Sequence, residues 1–228
     1  QYPVQHMIRA VIFDLDGVLF DSEPVHREAW LSVLKETGHP FTEKDLLPWT
    51  GLPCMDMSKE LAEQIGYEKP WEDLYHKKEG RYKQLITEKN PFFPGLRNAL
   101  EELKKKYRLG YATSTIGETV RLLFDIAELT TIFEDGVVFE EVAHTKPHPE
   151  TYQKAVSKLG LPSEKCAAVE DSIAGVESAK KAGLYTIGVC TTFSRDELAR
   201  ADRTFETTLE ACRWLLENGV SGIAGRFK

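Results

Sequence analysis

Cysteine is scarce in this 228-residue sequence, and the four present (Cys54, Cys166, Cys190 and Cys212) stand at no Cys-x-x-Cys or other metal-like spacing. That pattern argues against a disulfide framework and a thiolate metal site, and it leads us to expect a reduced, cytoplasmic setting. Positive charge is also short: 29 Lys and Arg stand against 36 Asp and Glu, a formal charge of −7. Nothing in that balance favours a nucleic-acid backbone or an anionic membrane surface as partner. No apolar run approaches the ~20 residues of a membrane span. No signal-peptide pattern, internal repeat or low-complexity tract is present. Gln1 to His6 precede Met7 without periodicity and are expected to stand outside the fold. The remainder is of ordinary globular composition, 42% hydrophobic and 29% charged, and long enough for one large domain or a domain carrying a smaller one. A monomer is the default expectation.

What the sequence does have is a pair of acids at the end of an apolar run. Ala10-Val11-Ile12-Phe13 is short and β-branched, as a buried strand is, and it leads into Asp14-Leu15-Asp16-Gly17-Val18. Side chains alternate along an extended chain, so Asp14 and Asp16 fall on the same side. Gly17 then permits a sharp turn. Taken alone, the pentapeptide also fits a strand that ends in a polar turn.

The order of elements around it narrows the choice. Ser22 is a plausible N-cap and Pro24 suits a first helical turn. From there to about Asn90 the apolar spacing is helical: Val25, Ala29, Trp30, Val33 and Leu34, then Met57, Leu61, Ala62 and Ile65, then Trp71 to Ile86. This stretch reads as a compact helical insert. From Leu96 onward helices alternate with strand-like runs at 109–112, 137–139, 166–169, 185–189 and 203–205. Such alternation implies an α/β fold, a parallel sheet with right-handed crossovers and helices on both faces. The expected division is a core of 7–21 and 92–228 and an all-helical cap of 22–91.

In such sheets ligands sit beyond the carboxyl ends of the strands. The residues that fall there are Asp14 and Asp16, Thr113 and Ser114, Lys146 on its loop, and Glu170 with Asp171. Asp14, Asp16, Glu170 and Asp171 supply hard oxygen ligands suited to Mg²⁺. Thr113 and Ser114, with the N–H groups at the helix start that follows, suit phosphate oxygens. Lys146 supplies a point charge toward a phosphoryl group and toward the acids. Several carboxylates and a phosphate dianion in one pocket repel by several kcal/mol per close pair, so a metal is expected beside Lys146. Asp14 is then the nucleophile, and Asp16 the acid/base.

These motifs, in order and interval, resemble the haloacid dehalogenase-like superfamily of aspartate-nucleophile phosphohydrolases and phosphomutases. Asp14-Leu15-Asp16-Gly17-Val18 is similar to its first motif and Thr113 to its second. Lys146-Pro147-His148-Pro149 is similar to the lysine motif, and Glu170-Asp171-Ser172 with Ala174-Gly175 to the fourth. The resemblance implies a Rossmann-like core with a four-helix cap inserted after the first motif. It also implies Mg²⁺ held by the Asp14 carboxylate, the Asp16 main-chain carbonyl and Asp171, with Glu170 nearby. Asp21-Ser22-Glu23-Pro24 with His26, Ala29 and Trp30 look most like the β-phosphoglucomutase and sugar-phosphate phosphatase branch.

One departure stands out. The mutase's cap turn carries an arginine for a distal phosphate, and Thr50-Gly51-Leu52-Pro53-Cys54-Met55 has none, although Lys59, Lys78 or Arg81 are candidate substitutes. The resulting expectation is a Mg²⁺-dependent phosphatase of a small phosphorylated metabolite, a sugar phosphate among them, acting through an aspartyl-phosphate. A phosphomutase of the same family is the runner-up. From another class, a phospho-acceptor receiver shares the sheet and the acids but carries no large helical insert after its first strand.

Overall fold

The computed structural model describes residues 8–49 and 54–218. Gln1 to His6 and the Thr50–Pro53 part of the cap turn lie outside the described residues. The chain divides into two compact units, one of residues up to Asp21 together with those from Phe92, the other Ser22–Pro91.

Strand β1 (Ala10–Phe13) is buried along its whole length, as expected for a parallel strand covered on both faces. The Ser22–Pro91 unit is helical: α1 (Glu23–Glu36), α2 (Glu43–Leu46) with a 3₁₀ turn at Leu47–Trp49, α3 (Cys54–Gln64) and α4 (Trp71–Lys89). Ser22 occupies the N-cap position of α1 and Pro24 its first turn, but the Ser22 hydroxyl makes no cap bond; its carbonyl accepts the His26 N–H at 2.9 Å. A capping box opens α2, where Asp45 Oδ2 accepts both the Thr42 N–H and hydroxyl at 2.7 Å. The helices close on Trp30, Val33, Leu34, Leu46, Trp49, Met57, Leu61 and Leu74. The amphipathic periods of α1, α3 and α4 therefore face one shared interior.

One cation is sealed into this unit. Lys78 is fully buried. Its ammonium donates to His26 Nδ1 at 2.6 Å and to Glu79 Oε1 at 2.9 Å, and it lies 4.9 Å from the Tyr82 ring centroid. His26 stacks on Tyr82 with centroids 3.9 Å apart. Burial first, and then the Lys78 charge, hold the His26 imidazole well below its ordinary pKa of 6.5. The neutral ring is the form that can accept from the ammonium.

The remaining elements build the sheet. They are α5 (Leu96–Lys104), β2 (Arg108–Ala112), α6 (Gly117–Ile126), β3 (Asp135–Val137), α7 (Glu150–Lys158), β4 (Cys166–Glu170), α8 (Ile173–Lys181), β5 (Tyr185–Val189), β6 (Arg203–Phe205) and α9 (Thr208–Asn218). The six strands run in the order β3-β2-β1-β4-β5-β6, and every pairing is parallel. This is the parallel α/β architecture that the alternation implied, with the Rossmann-like core that the resemblance implied. Phe13 is level with Tyr111 on one side and with Val169 on the other, so the residues that follow these strands emerge at a common edge.

One strand lies earlier than its apolar run. The expected 137–139 segment is instead Asp135–Val137, and Phe139–Glu141 is a 3₁₀ turn. Glu141 Oε2 accepts the Val138 N–H at 3.0 Å, which takes that donor away from the ladder. Gly136 belongs in the strand because a Cβ there would fall 2.4 Å from the Tyr111 ring.

The His26 environment generates a pH prediction. The folded state resists a proton that the unfolded chain accepts below about pH 6.5, so this contribution to stability is intact above that pH and lost as pH falls. Urea unfolding between pH 7.5 and 5 should show a wild-type decline steeper than that of His26→Gln, by up to about 1.4 kcal/mol per pH unit. Parallel declines would contradict the assignment.

Candidate active site

The site begins with where β1 stops. The Asp14 N–H still donates to Val169 O of β4 at 3.0 Å, which fixes its backbone in the sheet. The chain then coils tightly: the N–H groups of Val18, Leu19 and Phe20 all point to the Leu15 carbonyl, and the Gly17 N–H reaches Phe20 O at 2.8 Å. Gly17 adopts φ +71, and a Cβ there would lie 1.9 Å from Asp171 Oδ2. Glycine is thus required twice over, for the turn and for the approach of Asp171. Leu15, Val18, Leu19 and Phe20 are fully buried and anchor the turn from below.

Lys146 enters on the loop after β3, its peptide bond to Pro147 being cis. Glu150 ties that loop to the start of α7 by accepting the Ala143 and His144 N–H groups at 3.0 and 2.9 Å. The Lys146 ammonium donates to Glu170 Oε1 at 2.6 Å and Ala112 O at 2.9 Å, and stands 3.1 Å from Asp14 Oδ1. Burial by itself would lower its pKa, but Asp14 and Glu170 outweigh burial and raise it, so the ammonium stays charged.

The acids feel the converse. Burial first, then the Glu170 charge, push the Asp14 carboxyl well up, and the same two causes raise Asp171. Carboxylate oxygens of Asp14, Glu170 and Asp171 all lie within 4.8 Å of one another. Three buried acids therefore face one ammonium, an excess of negative charge that a second cation would relieve. Hard oxygen donors in so small a space suit a divalent ion of the Mg²⁺ type. The residues fit such an ion.

Hydroxyl groups complete the arrangement. Thr115 Oγ1 donates to Asp16 Oδ2 at 2.5 Å, and Thr192 Oγ1 donates to Asp171 Oδ2. Thr191 Oγ1 holds Gly17 O at 2.5 Å, and Thr208 Oγ1 holds Val18 O at 2.6 Å. None of these four threonines is visible in the motifs. Thr191 and Thr192 lie just past the end of β5, after Cys190, so a search of every strand end in the parallel sheet, beyond those with acids, would have singled them out as candidates.

The second motif is more occupied than its sequence suggests. Thr113 is buried and Ser114 exposed. Two N–H groups after Thr113 are already engaged, Thr115 N–H with Thr113 Oγ1 at 3.0 Å and Gly117 N–H with the Glu140 carboxylate at 2.9 Å. Glu140 thus caps α6 where an incoming anion was expected to use its N-terminus. His144 and His148 pack ring against ring at 4.7 Å beside the Lys146 loop, and Glu150 N–H donates to His148 Nδ1 at 3.2 Å.

The charge balance yields a stability prediction. Lys146→Met strips the buried acids of their ammonium, and breaking one partner out of a buried ionic cluster costs about 3–5 kcal/mol. Urea unfolding at pH 7 should register a loss of that order. A change below about 1 kcal/mol would mean that the acids do not depend on Lys146.

Residues 11–189 match the family described as haloacid dehalogenase-like hydrolase. A phosphorylated carbohydrates phosphatase of Thermotoga maritima is 34% identical over 181 residues, 79% of this chain and 84% of that protein. Hexitol phosphatase B of Escherichia coli is 31% identical over 190 residues, 80% and 83% of the two chains. A crystal structure from Thermotoga maritima, given as a candidate β-phosphoglucomutase, superposes with a TM-score of 0.80 at 31% identity and covers 92% of this chain and 99% of that one. With an aspartate pair at the first strand end, a lysine and two further acids brought to the same sheet edge, and a family match across most of its length, this chain belongs to the haloacid dehalogenase-like hydrolases.

Proposed function

We propose that this enzyme is a Mg²⁺-dependent phosphatase that hydrolyses a small phosphorylated metabolite through an aspartyl-phosphate on Asp14. The observation that carries the reading is the Asp14 carboxylate at the end of β1, 3.1 Å from the Lys146 ammonium and within 4.8 Å of the Glu170 and Asp171 oxygens. Sugar phosphates are the favoured substrate class, since two similar proteins are named as phosphatases of phosphorylated carbohydrates and hexitols.

Each residue has a task. Asp14 Oδ attacks phosphorus, and the bond from phosphorus to the leaving oxygen breaks. Asp16 gives its proton to that oxygen as general acid. Water then attacks the phosphoryl-enzyme and passes a proton back to Asp16, which frees phosphate and restores Asp14. Thr115, bonded to Asp16 Oδ2, fixes that carboxyl through both halves. Lys146 keeps a positive charge at the Asp14 oxygen, with Thr113 and Ser114 beside it as phosphate contacts. Asp14, Asp171, the Asp16 main-chain carbonyl and Glu170 are the candidate ligands of Mg²⁺, which when bound supplies positive charge against repulsion between the acids and the incoming phosphate.

A phosphomutase is the second reading, favoured by the similarity to the Thermotoga maritima structure. The cap residues offered above as substitutes for the mutase arginine are otherwise engaged: Lys78 with His26 and Glu79, Arg81 with Glu36, and Lys59 over the Trp71 ring with Asp56 at 3.6 Å. That occupancy supports hydrolysis over transfer.

Asp14→Asn should abolish phosphate release from p-nitrophenyl phosphate, and Asp16→Asn should lower kcat by roughly 10²–10⁴. Chelation with EDTA should stop turnover, and added Mg²⁺ should restore it. Undiminished hydrolysis by Asp14→Asn would end the proposal. Incubation with β-glucose 1-phosphate and a bisphosphate primer separates the two readings, because free phosphate marks the phosphatase and glucose 6-phosphate without it marks the mutase.

A further inference from the structure

Tyr152 on α7 belongs by periodicity to an apolar helix face, together with Ala155, Val156 and Leu159, and it packs with them in the core. A phenylalanine would fill that position equally well. The buried hydroxyl is therefore surplus to packing, and a buried hydroxyl costs stability unless it finds a partner. Its partner is Glu170 Oε1, to which Tyr152 OH donates at 2.7 Å.

That oxygen also accepts from Lys146 Nζ at 2.6 Å, while Ser172 Oγ reaches Oε2 at 3.3 Å. Glu170 is wholly buried, and a Cβ on Gly175 would stand 2.0 Å from Oε2. Both carboxylate oxygens thus meet donors, and the start of α8 is shaped around them. Tyr152 touches the ammonium as well, with Lys146 Nζ lying 5.2 Å from its ring centroid. Hydroxyl and ring together hold the two partners of one ion pair, and the free side of the ammonium is left against Asp14 Oδ1 and Ala112 O.

We propose that Tyr152 is a positioning residue for phosphoryl transfer: by fixing Glu170 and backing Lys146, it aims the Lys146 ammonium at the Asp14 carboxylate. The proposal rests on the reading of Asp14 as nucleophile. Glu170 in this view serves first as the anchor of Lys146. Without the hydroxyl, Glu170 and Lys146 can rotate together, and the ammonium moves off the oxygen where attack begins. A displacement of that kind affects the reacting geometry more than substrate capture.

Tyr152→Phe keeps the ring and its volume and removes only the hydroxyl. With p-nitrophenyl phosphate at saturating Mg²⁺, kcat should fall roughly tenfold or more, as for loss of a hydrogen bond to a charged group. KM should stay within about twofold, the signature of an interaction realised in the transition state, and the variant should still unfold cooperatively in urea. An unchanged kcat would overturn the proposal, as would a variant that fails to fold or that loses stability while kcat and KM shift together, since each of these marks a structural tyrosine. If wild type itself releases no phosphate from the dye ester or from a panel of sugar phosphates, the phosphatase reading falls and this proposal falls with it. Wild-type turnover that Tyr152→Phe matches sinks only the role of Tyr152.

Discussion

Three carboxylates buried within 4.8 Å of one another form an arrangement that water would normally prevent. The Lys146 ammonium is what makes it tenable in this chain. It bridges Asp14 and Glu170 from the loop after β3, and its third polar contact is the Ala112 carbonyl of β2. One side chain thus couples the ends of β1, β2 and β4. It offsets only part of the negative charge, so Asp14 and Asp171 remain raised by burial and by Glu170. The site is left with an appetite for a further cation and for the proton chemistry that goes with one.

Backbone construction serves this electrostatic centre. The turn after β1 folds three N–H groups onto the Leu15 carbonyl, and threonines from two later segments hold the Gly17 and Val18 carbonyls. Strand register matters equally, because Phe13 is level with both Tyr111 and Val169. A slip of one residue would turn Glu170 away from Lys146, since side chains alternate along the strand. Precision in the acids therefore derives from the ladder, and the ladder is stable because its central strands are buried on both faces.

The Ser22–Pro91 unit solves a different problem with similar means. Lys78 is buried without a residual net charge in its surroundings, paired with Glu79 and bonded to a neutral His26. Its positive charge is spent within the unit. A lysine that a sequence pattern offers as a phosphate grip is, by geometry, part of a packed aromatic and ionic cluster with Trp30 and Tyr82.

The α/β class, the helical stretch between Ser22 and Asn90, and the acids and lysine at the strand ends were legible in the chain alone, because period, apolar runs and motif spacing are local properties. The sequence could not reveal that Glu140 caps α6, that Thr191 and Thr192 brace Gly17 and Asp171, or that β3 stops at Val137. Those outcomes depend on partners 21 or more residues away, or on which donor reaches a carboxylate first. Tyr152 is the plainest case. In sequence it is one more apolar residue at helical spacing, and only the packing of α7 against β2, β3 and α8 brings its hydroxyl to Glu170. Periodicity places a side chain on a face, whereas a hydrogen bond requires two atoms from distant segments to meet within 3 Å, and that is decided by the fold.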